Sequence, residues 1–109
     1  VNNLLENDVN IINEVNGKGE NTLVVATKID NKKVVETLLN YGINVNWQDG
    51  MGNTALHYAV KIEQPFLVQK LVSKNANVNI VNREGKSPLN LAYDLGNNDI
   101  INALTSDPS

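Results

Sequence analysis

The chain has 109 residues, of which 41% are hydrophobic, enough for one modest core and too few for a second domain. It contains no cysteine, so neither disulfides nor a cysteine-based metal site adds to that core. The formal net charge is -3 and the only adjacent basic pair is Lys32 and Lys33, which argues against a nucleic-acid partner; no apolar run approaches the roughly 18 residues that a membrane span needs.

The opening VNNLLENDVN has neither the basic segment nor the apolar core of a secretory leader, so the sequence is that expected of a monomeric cytoplasmic protein. The Val start and the SDPS end suggest a piece of a longer polypeptide. Enrichment in Asn, Lys and Ile matches AT-rich genomes, and for an intracellular pathogen or a virus the compartment becomes the host cytosol. In LLENDVNIINEV, the helical spacing of Val9, Ile12 and Val15 predicts a helix near residues 8 to 15, a capping segment or partial repeat over 1–15.

A helix begins at Asn21, whose side chain suits the free N–H groups of a first turn, and breaks at Asp30 and Asn31. A second helix carries Val34, Val35, Leu38 and Leu39 and stops at Gly42, a residue that tolerates the left-handed conformation of a C-terminal cap. Val45 and Asn46 form a connector, and Asp49 starts a tight turn completed by Gly52. The cycle repeats from Thr54: Leu56, Ala59 and Val60 make one apolar stripe, Glu63 and Gln64 break it, and Pro65 opens a helix with Leu67, Val68, Leu71 and Val72. Asn75 ends that helix, Val78 and Asn79 connect, and Asn82 to Gly85 turns. In the third cycle Ser87 caps, Pro88 occupies the first helical position, Leu89 and Ala92 face inward, and Gly96 and Asn97 break the helix. Ile100, Ile101 and Leu104 follow, with polar Thr105 where earlier cycles have Leu39 and Val72, as suits a terminal unit facing water.

These cycles share a period of 33 residues. A shift of that length superimposes Gly19, Gly52 and Gly85, then Leu23, Leu56 and Leu89, then Ala26, Ala59 and Ala92. It also superimposes Ile29, Ile62 and Leu95; Val34, Leu67 and Ile100; and Leu38, Leu71 and Leu104. A fixed period of this size marks an array of supersecondary units, each burying its apolar face against the next.

The segments GNTALHYAV (52–60) and GKSPLNLAY (85–93), with the connectors GINVN (42–46) and NANVN (75–79), resemble the ankyrin repeat, whose signature includes T-P-L-H-x-A. The resemblance spans about residues 16 to 105 and implies an all-α solenoid of stacked helix-turn-helix units joined by β-hairpin-like turns. The expected units are 16–48, 49–81 and 82–109, the last a C-terminal cap. GENTLVVAT in the first unit lacks both the Pro and the His, which predicts a looser first helix there.

No catalytic constellation is visible. His57 occupies the motif's His, where the resemblance implies ring bonds to backbone between repeats, and no serine has a His and an acid placed with it. The glycines lack the Lys-Ser/Thr ending of a phosphate loop, and the acidic residues lack calcium-loop spacing. No cofactor, metal or small-molecule ligand is expected.

The resemblance implies instead that another protein binds on the concave face, through the turn tips and first helices. The positions expected there are Lys18, Glu20 and Lys28 in the first unit, Met51, Asn53 and Lys61 in the second, and Arg83, Glu84, Lys86 and Asp94 in the third. Ile29, Ile62 and Leu95 lie alongside, as a column expected to pack between helices. Trp47 stands where the family usually has a small residue; it either packs across neighbouring hairpins or serves as a binding anchor. Two other readings follow: a structural spacer within a longer polypeptide, or a substrate for hydroxylation at Asn46 and Asn79, which the resemblance suggests.

Overall fold

Each unit begins with a helix that its own side chains start. Asn21, Thr54 and Ser87 accept the N–H groups of Val24, His57 and Asn90, and thereby open α1 (Thr22–Lys28), α3 (Ala55–Lys61) and α5 (Pro88–Leu95). In the second and third units the cap is reciprocal, because His57 Nδ1 and Asn90 Oδ1 accept the backbone N–H of Thr54 and Ser87. Val24 holds that position in the first unit and offers no acceptor, so α1 lacks the reciprocal cap, though it is as long as α3.

The first helices end at Asp30, Glu63 and Gly96, one per unit, each with a positive φ between 55° and 67° that reverses the chain. One residue further on, after Asn31, Gln64 or Asn97, begins α2 (Lys32–Asn40), α4 (Pro65–Ser73) or α6 (Asn98–Thr105). Asn31 and Asn97 cap the first and last of these, accepting from Val34 and Ile100, whereas Gln64 makes no side-chain cap and leaves the start of α4 to Pro65. Gly42 and Asn75 take the left-handed conformation after α2 and α4.

The computed structural model describes residues 15–105; the helix expected near residues 8 to 15 lies outside them except for Val15, which forms an isolated antiparallel bridge with Asn21. Within each unit the two helices pack on each other. Between units the first helices form one row (α1, α3, α5) and the second helices another (α2, α4, α6). The core lies between these rows and is tightest in the middle unit, where Leu56, Ala59, Val60, Leu67, Val68 and Leu71 have no solvent exposure. Trp47, Tyr58, Ile62 and Leu89 pack against its edges.

The turn tips are stapled together by backbone. Gly50 donates its N–H to Lys18 O (3.0 Å) and Arg83 donates to Met51 O (3.0 Å). Such close approach explains Gly52: at φ 80° it is left-handed, and a Cβ there would lie 3.0 Å from Arg83 N.

Candidate functional site

The face made by the tips and first helices is built on one repeated device. Asn16, Asp49 and Asn82, a column 33 residues apart, each accept the N–H of the glycine three residues on at 2.9 Å through the backbone carbonyl. Their side-chain oxygens accept two more N–H groups, from Lys18 and Glu20, from Met51 and Asn53, and from Glu84 and Lys86. Asn16 completes the column that the sequence showed at Asp49 and Asn82. Its side chain is the signal at that position, an Asn three residues before a repeating glycine.

On this frame the expected surface residues divide in two. Lys18, Lys28, Met51, Lys61, Arg83, Glu84 and Asp94 are exposed, and Lys86 is half-buried and paired with Asp94 at 3.0 Å. Glu20 and Asn53 are buried, which corrects the expectation that they lie on the open face. The cause is hydrogen bonding that satisfies them inside. Glu20 takes Asn16 Nδ2 and the ammonium of Lys28, and those contacts hold its carboxyl below the ordinary carboxylate pKa. Asn53 Oδ1 accepts Asn82 Nδ2 at 2.8 Å, a bond between consecutive units.

The column of Ile29, Ile62 and Leu95 also departs from expectation. Ile62 packs against the core, but Ile29 is 66% exposed and Leu95 46% exposed. Each stands at a helix end, where the chain leaves for the left-handed residue that follows.

Tyr58 is a residue of this face that sequence reasoning missed. It sits where the neighbouring units carry Val25 and Leu91, and that break in an aliphatic column was the available signal. Its hydroxyl donates to the Asp49 carboxylate; burial first, and then this bond, push its pKa up to about 12. The ring lies under two ammonium groups, Lys28 Nζ at 5.2 Å and Lys61 Nζ at 5.5 Å from its centroid.

Trp47 is half-buried and bridges units by donating its indole N–H to Gly19 O at 2.7 Å. Asn46 also ties units together, its Oδ1 accepting the N–H of Asn77 at 2.8 Å, while Asn79 is exposed. His57 is buried, with Nε2 donating to Lys86 O at 2.9 Å. Among the described residues no cluster of His, Asp and Glu could hold a metal ion, and no helix is long and apolar enough to cross a membrane.

Paired short helices in two rows, stapled by backbone at their tips, define a helical repeat solenoid. The family model of ankyrin repeats matches residues 1–82 in three copies. The chain therefore belongs to the ankyrin-repeat family, whose members generally act as protein–protein interaction modules and are typically non-catalytic. The matched span includes residues 1–15 and stops where the third described unit begins, although that unit repeats the same caps and turns. A comparison with curated proteins gives no match.

Proposed function

We propose that the chain is a non-catalytic binding module that holds another protein on the face formed by its turn tips and first helices. One observation carries this reading. The frame of that face is built from buried or internally bonded residues, while Lys18, Met51, Lys61, Arg83 and Glu84 project from it with side chains that, among the described residues, make no hydrogen bond or ion pair. Met51 is 56% exposed, an apolar group at the tip of the middle unit among charged neighbours. Binding surfaces combine an exposed apolar anchor with a charged rim in this way. Trp47 contributes through the frame, because its half-buried ring fixes how the first and second units meet.

The test is affinity capture from lysate of the native cell with the wild-type chain, the triple variant Lys18→Glu/Lys61→Glu/Arg83→Glu, and Lys74→Glu on the second-helix row as control. A protein retained by wild type and control and lost by the triple variant is the expected result. Equal retention by all three, with equal helicity, would remove this face from consideration.

A further inference from the structure

The first-helix face carries the same ion pair twice with its charges exchanged. In the first unit Glu20 pairs with Lys28; 66 residues on, the equivalent positions hold Lys86 and Asp94, paired at 3.0 Å. The middle unit has Asn53 and Lys61 at these positions. Asn53 carries no charge and is committed to Asn82 and Tyr58, so Lys61 has no acidic partner in its own unit. Among the described residues Lys61 forms no ion pair, and its charged contact is with the Tyr58 ring, which it shares with Lys28.

The neighbouring carboxylates do not compensate for this. Asp49 is buried and receives the N–H groups of Met51 and Asn53 and the O–H of Tyr58, while Glu20 is buried beneath Lys28. Both acids face inward with their lone pairs occupied. The groups that face outward are ammonium heads, and at the tips stand exposed Lys18 and Arg83, which among the described residues also form no ion pair. Of the exposed acids on this face, Asp94 is neutralised by Lys86, and Glu84 lies at the tip of the third unit. Lys28 is neutralised by Glu20, so Lys61 is the ammonium on this ring that no described carboxylate pairs, and an arriving anion gains a charge-assisted hydrogen bond from it.

We propose that Lys61, with Tyr58 beneath it, is the docking point for an acidic segment of the partner protein, whose Glu or Asp side chain completes in the middle unit the ion pair that the outer units make within themselves. This rests on the partner-binding reading above and names the chemistry of the partner. Half-buried Ile62 and exposed Ile29 follow Lys61 and Lys28 at the ends of α3 and α1, and exposed Met51 stands at the tip of the middle unit, so the matching segment carries apolar as well as acidic residues.

The probe is a random dodecapeptide phage library panned against the full chain. Recovered sequences are expected to be rich in Asp and Glu. A synthetic peptide of their consensus is expected to bind Lys61→Met about tenfold more weakly than wild type, the worth of one charged contact of about 1.4 kcal/mol. It should bind Lys61→Glu more weakly still and Lys74→Glu as well as wild type. Lys61 is exposed, so Met retains its stem without disturbing the fold, and far-UV circular dichroism checks this. Recovery of basic or uncharged peptides, no enrichment at all, or acidic peptides indifferent to Lys61→Met would each overturn the proposal. A lysate protein captured equally by wild type and Lys61→Met would overturn this site and leave the partner-binding reading standing, whereas the peptide result does not depend on any captured protein.

Discussion

His57 shows how one side chain fixes both a helix start and the distance between units. The Thr54 N–H points at Nδ1 and can only donate, so that nitrogen must be unprotonated, and the ring proton resides on Nε2 facing the Lys86 carbonyl. Protonating Nδ1 would set two donors against each other in a dry site. Burial is the largest cause holding the pKa below the ordinary 6.5; the Lys86 carbonyl opposes that shift and the charge of Lys61 adds to it. The unfolded chain therefore takes up a proton as pH falls through 6.5 while the folded chain does not, and stability falls with it, at up to about 1.4 kcal/mol per pH unit, until the lower folded pKa is reached. Glu20 acts in a separate window: its stabilisation is present above pH 4.5 and is lost only as pH falls further, through its lowered folded pKa. Replacing His57 by Asn should keep the reciprocal cap, as Asn90 does in the third unit, while losing the bond to Lys86. Urea titrations should show His57→Asn less stable by roughly 1–3 kcal/mol at pH 8, with little dependence on pH between 6.5 and 5.

At the scale of elements, the second helices show what a cap contributes. Asn31, Gln64 and Asn97 are one column, and only the two asparagines accept an N–H from the first turn of their helix. Gln64, with φ -110° and ψ 93°, has a backbone near that of Asn31 at φ -89° and ψ 86°, but no side-chain cap. Gln64→Asn should let Oδ1 accept from Leu67 and raise stability by about 1 kcal/mol, seen as a higher urea midpoint with unchanged slope. An unchanged midpoint would mean that the start of α4 needs no side-chain cap beyond Pro65. Such columns explain why the fold was legible in the sequence. A left-handed turn selects Gly or Asn, and a helix start selects Ser, Thr or Asn, so recurring geometry leaves recurring letters at Gly42 and Asn75 or at Asn21, Thr54 and Ser87. The site was less legible. Glu20 and Asn53 are polar letters that ordinarily mark surface, and their burial depends on partners in the turn and in the adjacent unit. Ile29 and Leu95 are apolar letters in register with a core column, yet the helix ends before they reach the interior. Tyr58 acquires its meaning from Lys28, thirty residues away in sequence and in another unit.

Across the whole molecule, stability follows how many neighbours each unit has, because a solenoid repeat is held by its own fold and by the two interfaces beside it. The middle unit has both interfaces, and its helical core residues are fully buried. In the last unit the positions equivalent to Leu56, Val60 and Val68 are Leu89, Tyr93 and Ile101; Leu89 and Ile101 are half-buried and Tyr93 is 59% exposed. Lys86 O accepts from His57, so the third unit is tied to the second, while Asn90, the counterpart of His57, makes its bonds inside its own cap. Native-state hydrogen exchange should therefore find the slowest amides in α3 and α4 and faster exchange in α6, since opening the last pair of helices breaks one interface and opening the middle pair breaks two. Leu104→Ala removes a buried side chain from α6 alone, and should speed exchange in α5 and α6 strongly while changing α3 and α4 much less. Leu71→Ala, in α4 between both neighbours, should instead raise exchange rates in all six helices together. Equal effects of the two substitutions on every helix would mean that the units unfold as one cooperative block, with the interfaces stronger than the units they join.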